Sequence, residues 1–236
     1  MEGILDRVRG DLLERSDDAT RESAARFFRE PVMTHGVKTA AVRGIARRHW
    51  HDVRELESDR ALSSCETLLA TGYLEEAIIA ADWAVRLVPQ LGPDHFFLLR
   101  DWVDRYITNW AACDTLCNHA VGDLVARFPW TAGLLRDWTA SPNRWVRRAA
   151  AVSLVVPAKR GEFLEDAIAI ADLLHRDPDD MVRKGCGWLL KETSRCHREE
   201  VFAFVLARRG VMPRTTLRYA IELMPPELRA RAMQRD

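Results

Sequence analysis

The chain has 236 residues, 47% hydrophobic and 30% charged, enough to bury a core and too ordinary a mix for a disordered or fibrous polymer. Charges interrupt every apolar run before the roughly 18 residues a membrane helix needs, and Met1-Glu2-Gly3-Ile4-Leu5-Asp6 lacks the basic-then-apolar order of a secretory signal. The net charge is zero, yet from Pro142 onward 18 Lys/Arg stand against 13 Asp/Glu, while the rest holds 17 against 22. A basic C-terminal half suits a polyanionic partner and suits a solvated helix face equally well.

Amphipathic helical periodicity runs through almost the whole chain. Ile4, Leu5, Val8 and Leu12 form a first stripe; Val42, Ile45, Ala46 and His49 form another after a break at Gly36. Leu62, Leu68 and Leu69 precede Thr71-Gly72, and Leu74, Ala77, Ile78, Ala81 and Val85 follow it. Beyond a loop at Pro89, Gly92 and Pro93 comes a helix carrying Phe96, Phe97, Leu99, Trp102, Val103 and Tyr106. Further breaks fall at Pro129, Pro142, Pro157, Gly161, Pro178, Gly210, Pro213 and Pro225. No segment alternates with period two. The expectation is an all-α chain, and with no linker in view, one domain over residues 1–236.

The breaks recur at the spacing of stacked helical hairpins. Trp145-Val146-Arg147-Arg148-Ala149-Ala150 echoes Met181-Val182-Arg183-Lys184-Gly185-Cys186 at an offset of 36 residues, each copy introduced by a proline turn. This turn followed by Val-Arg-Arg/Lys-small resembles the second helix of HEAT repeats, which implies a curved solenoid of antiparallel helical repeats. Stepping back by the same offset sets Val146 on Trp110 and Ala150 on Asp114, then on Leu74 and Ile78. Asp114 thereby occupies a position where Ile78, Ala150 and Cys186 are apolar or small, and a carboxylate there needs a partner or a task. Trp110 lies one turn earlier on the same face, and Asn109 is the expected N-cap. From periodicity alone, a buried Asp bonded to an arginine such as Arg148 is a better account than a functional one.

Thr108-Asn109-Trp110-Ala111-Ala112-Cys113-Asp114-Thr115 resembles the catalytic segment of the AlkD family of DNA alkylpurine glycosylases. Ser141-Pro142-Asn143-Arg144-Trp145-Val146-Arg147-Arg148 resembles the family's phosphate-contacting segment, whose arginine falls on Arg148. Arg183-Lys184-Gly185-Cys186-Gly187-Trp188 resembles the segment carrying a second active-site tryptophan, here Trp188. Ala25-Arg26-Phe27 and Gly36-Val37-Lys38-Thr39 are similar to two further family stretches, with Phe27 where the family usually has tyrosine and Ala40 where it commonly has proline.

The resemblance implies a concave DNA-binding face. It also implies hydrolysis of the N-glycosidic bond of cationic N3- or N7-alkylated purines in duplex DNA (3-methyladenine and 7-methylguanine, with bulky adducts as a second version), without base flipping and as part of base excision repair. Such a base is already a good leaving group, so the work lies in stabilising positive charge on the sugar. Asp114, Trp110 and Trp188 are the implied catalytic set. Arg148, Phe27, Lys38, Arg147, Lys184 and Lys191 are the implied DNA contacts.

Five scattered cysteines read as reduced core residues, so a cytoplasmic protein is expected. Cys113, Cys117 and His119 lack a second ligand cluster, and neither metal nor cofactor is expected. The partner is duplex DNA containing alkylated purines, with no membrane, and the protein a monomer. The alternative is a non-catalytic HEAT-like scaffold that binds DNA or protein.

Overall fold

The computed structural model describes residues 2–234, and they form helices joined by short turns. The chain is an all-α helical repeat protein; among the described residues, extended pairing is confined to a single parallel bridge between Met33 and Tyr73. Two compact units divide it, Met1–Leu116 and Cys117–Asp236. Among the described residues, no helix is long and apolar enough to cross a membrane.

The first unit holds α1 (Glu2–Glu14), α2 (Asp18–Phe27), α3 (Thr39–Val53), α4 (Ser58–Leu69), α5 (Leu74–Leu87), α6 (His95–Tyr106) and α7 (Trp110–Leu116). In α3 the expected stripe of Val42, Ile45, Ala46 and His49 is buried, and Val53 extends it. In α5 the burial differs from the expected stripe. Leu74, Ile78 and Val85 are half-buried, while Ala77, Ile79, Ala80, Ala81, Trp83, Ala84 and Leu87 are enclosed. The cause is that α5 packs against α3, α4 and α7 at once, so apolar residues point in nearly every direction. The Trp83 indole donates to the Ala46 carbonyl at 2.9 Å, which satisfies its buried N–H. On α6, Phe96, Leu99, Trp102 and Val103 are buried, but Phe97 is left 55% exposed.

The second unit holds α8 (Gly122–Arg127), α9 (Leu135–Trp138), α10 (Arg144–Val152), α11 (Val155–Lys159), α12 (Leu164–Leu174), α13 (Asp180–Thr193), α14 (Arg198–Arg208), α15 (Arg214–Ala220) and α16 (Pro226–Met233). Pro157, expected to break the chain, sits instead in the first turn of α11, where its missing N–H has no helical partner to lose.

The 36-residue echo holds atom by atom. Asn143 caps α10 by accepting from Trp145 N, and Asp179 caps α13 by accepting from Met181 N and Val182 N. Arg147 Nη1 donates to the carbonyls of Ser141 and Pro142, and Arg183 Nη1 to those of Asp177 and Pro178, the same two atoms one repeat later. Each arginine thus folds back on the proline turn that precedes its helix.

Helix α13 packs on α10, α11, α12 and α15. Its glycines permit that approach. A Cβ built on Gly187 would stand 2.5 Å from Tyr219 Cβ and 2.9 Å from the Thr216 carbonyl oxygen, whereas one on Gly133 would meet nothing within 4 Å. Gly187→Ala is therefore expected to lose about 1–3 kcal/mol by urea denaturation, as overpacked sites do, and Gly133→Ala to lose far less.

Candidate active site

The start of α7 is set by one side chain. Asn109, 4% exposed, accepts a hydrogen bond from Ala112 N at 2.9 Å, and its own carbonyl accepts from Cys113 N. This is the expected N-cap, and it fixes Trp110 as the first residue of α7 and Asp114 in the second turn. Both side chains are half-buried, neither sealed in the core nor open to bulk water.

The caps also correct the repeat phase read from the sequence. Helices α5, α7, α10 and α13 begin at residues 74, 110, 144 and 180, so the middle interval is 34 residues and not 36. Counted from the helix starts, Asp114 aligns with Ile78, Arg148 and Lys184, not with Ala150 and Cys186. Two of those three counterparts are basic, so a charge at this place recurs in the repeat; what is particular to α7 is its sign. Ala150 and Cys186 are both buried, as the core of their helices requires.

Trp110 faces two phenylalanines. Its ring centroid lies 5.7 Å from that of Phe27 and 5.7 Å from that of Phe28, and the two phenyl rings meet edge to face at 5.3 Å. Despite these contacts Phe27 is 67% exposed, a large apolar surface left open to water. These rings line a cleft of about 680 Å³ together with Lys38, Val37, Ile78 and Thr115. The structure thus brings Trp110, Phe27 and Lys38 to one place within the first unit. Phe28 was missed in the sequence; its signal was only its adjacency to Phe27.

The predicted residues of the second unit lie on α10 and α13. Trp188 is half-buried on α13, between buried Gly187 and Leu189. Arg148 is 4% exposed and its guanidinium donates to the Met181 carbonyl, with its aliphatic stem lying against Gly185. Arg147 is bidentate on Asp177, at 2.7 and 3.1 Å, besides its two turn carbonyls. Lys184 pairs with Asp180 at 2.8 Å, and this holds the Asp180 carboxyl below the usual carboxylate range. Lys191 pairs with Glu222 at 3.3 Å. Among the expected DNA contacts, then, four of the basic residues already have acidic or carbonyl partners, while Lys38 is exposed at the cleft.

Cys65, Cys113, Cys117 and Cys186 are buried, Cys196 is exposed, and burial pushes the Cys65 and Cys186 thiols up, out of the reactive range. Just past Asp114 the helix loosens into a π turn over Cys117–Val121, where Gly122 lets the backbone approach the Ser153 carbonyl.

A model of the family described as DNA alkylation repair enzyme matches residues 8–224. Among solved structures, a predicted DNA alkylation repair enzyme from Enterococcus faecalis is similar with a TM-score of 0.80, at 13% identity, over 90% of this chain and 98% of that one. No curated protein matches the sequence.

The cap carries a test of its own. Asn109→Ala is expected to cost about 1 kcal/mol in urea denaturation, because Ala112 N loses its acceptor; Asn109→Asp, which keeps an acceptor there, is expected to cost less.

Proposed function

The chain belongs to the DNA alkylation repair enzyme family, and from that premise we propose that it is a DNA glycosylase for cationic alkylpurines. Membership makes alkylation damage its concern and DNA its partner. The finer reading is hydrolysis of the N-glycosidic bond of 3-methyladenine or 7-methylguanine in duplex DNA, as a step of base excision repair. The observation that carries it is the carboxylate of Asp114, one turn from the Trp110 indole on a capped helix, with Trp110 forming the wall of an aromatic cleft.

N3 or N7 alkylation leaves a purine positively charged, so the departing base needs no proton. As the bond breaks, positive charge moves onto deoxyribose. In this reading Asp114 stabilises that charge and orients the attacking water. The face of the Trp110 indole holds the sugar through cation–π attraction, and the family resemblance gives Trp188 a catalytic role as well. The reaction proceeds without base flipping, with residues 1–236 serving as one glycosylase domain that acts as a monomer in the cytoplasm. Lys38 and Arg148 contact phosphates. Arg147 serves the repeat turn, because a phosphate would have to displace a bidentate carboxylate and two carbonyls from it.

Duplex DNA carrying 7-methylguanine or 3-methyladenine tests the proposal by release of free base. The wild type is expected to release it, and Asp114→Asn to be slower by roughly a hundredfold to a thousandfold with duplex affinity unchanged. Binding without any release would instead make the protein a non-catalytic DNA-binding scaffold.

A further inference from the structure

Two consecutive glutamates open α5, Glu75 and Glu76, and each is only 2% exposed. Burying a carboxylate is costly unless every lone pair finds a donor. Glu75 finds four. Its Oε1 accepts from Thr34 Oγ1 at 2.5 Å, Gly36 N at 2.9 Å and Val37 N at 3.0 Å, and its Oε2 accepts from His35 N at 3.0 Å. Glu76 beside it pairs with Arg9 Nε at 3.3 Å and His35 Nε2 at 3.1 Å, and the His35 ring stacks on Tyr73 at 4.0 Å.

Three successive N–H groups reach one carboxylate only where the backbone curls tightly around it. Gly36 supplies that curl at φ 82°, and a Cβ there would stand 2.6 Å from the Asp17 carbonyl oxygen. The curled segment is tied in turn to the start of α2. Asp17 N donates to the Gly36 carbonyl at 3.0 Å, Arg21 donates to the His35 carbonyl at 3.0 Å, and the Asp17 side chain caps α2 through Thr20. At its other end α2 delivers Phe27, and Phe28 N bonds back to the Ala24 carbonyl, setting both rings against Trp110. Glu75, Thr34, Val37, Phe27, Phe28 and Trp110 all line the same cleft.

We infer that Glu75 is a positioning residue for the proposed reaction: through the 34–37 segment and α2, it holds Phe27 and Phe28 against Trp110. The inference rests on the glycosylase reading for its functional half and on the hydrogen bonds alone for its structural half. Glu75→Gln keeps the size of the side chain but turns one carboxylate oxygen into a donor that faces backbone N–H groups.

The full chain with that substitution is compared with wild type in three measurements. Base release from 7-methylguanine duplex, with enzyme in excess, is expected to slow by about a hundredfold, the scale set by misplacing groups near the reacting centre. Affinity for undamaged duplex at fixed salt is expected to stay the same, whereas a general loss of fold would lower rate and binding together. Amide exchange at His35, Gly36, Val37 and Phe28 is expected to quicken on the order of tenfold, with α13 unchanged. Thr34→Val, which removes one donor only, is expected to shift rate and exchange the same way but less. A wild-type rate in Glu75→Gln, or unchanged exchange at 35–37, overturns the inference. If the wild type itself releases no base, the glycosylase reading fails, and the exchange measurement alone then upholds or overturns the tie from Glu75 to the aromatic wall.

Discussion

The side-chain cap at the start of a helix is the interaction on which the arrangement of this protein depends. Asn109, Asn143 and Asp179 each accept from the first backbone amides of their helices, and that contact decides which residue is first and where every later side chain points. A helix that began one residue later would turn its side chains by about 100°. Trp110 would then turn away from Phe27 and Phe28, and Asp114 would turn with it. The cap is a local bond, but the phase it sets reaches the chemistry.

A second constraint is the cost of burying charge. The first unit encloses Glu75 and Glu76 near the aromatic cleft, and the second encloses Asp177, 7% exposed. Each is used as a fastener: Glu75 for the 34–37 segment, Asp177 for Arg147 and for Asp179 N. Carboxylates so fully occupied are poor candidates for chemistry. Asp114 is half-buried on α7, one turn from the Trp110 indole, and in the proposed reaction it is the carboxylate that meets the cationic sugar.

Much of the fold was legible in the sequence because it is written in local periodicity. The α3 stripe and the cap at Asn109 follow from residue types at fixed spacing, and the 36-residue echo of Arg147 and Arg183 proves to be the same hydrogen bonds made twice. What was not legible depends on more than one element. The burial of α5 could not be phased, since a helix packed on three sides carries no single stripe and hides Trp83 in plain composition. The repeat slips by two residues between α7 and α10, which a fixed offset cannot detect but the caps reveal. Glu75 gave no signal, and Phe28 none beyond its adjacency to Phe27, because their roles come from partners about 40 to 80 residues away. The resemblance of short segments to a repair family reached further than periodicity, and the family match over residues 8–224 agrees with it.

The central claim is that Asp114 stabilises positive charge on deoxyribose. Its most direct measure is the affinity of the protein for two duplexes, one with a cationic nitrogen sugar in place of the damaged nucleotide and one with the neutral tetrahydrofuran analogue. The account predicts that the wild type prefers the cationic sugar and that Asp114→Asn loses the preference. Equal affinity for the two duplexes, or a preference that survives in Asp114→Asn, would contradict it.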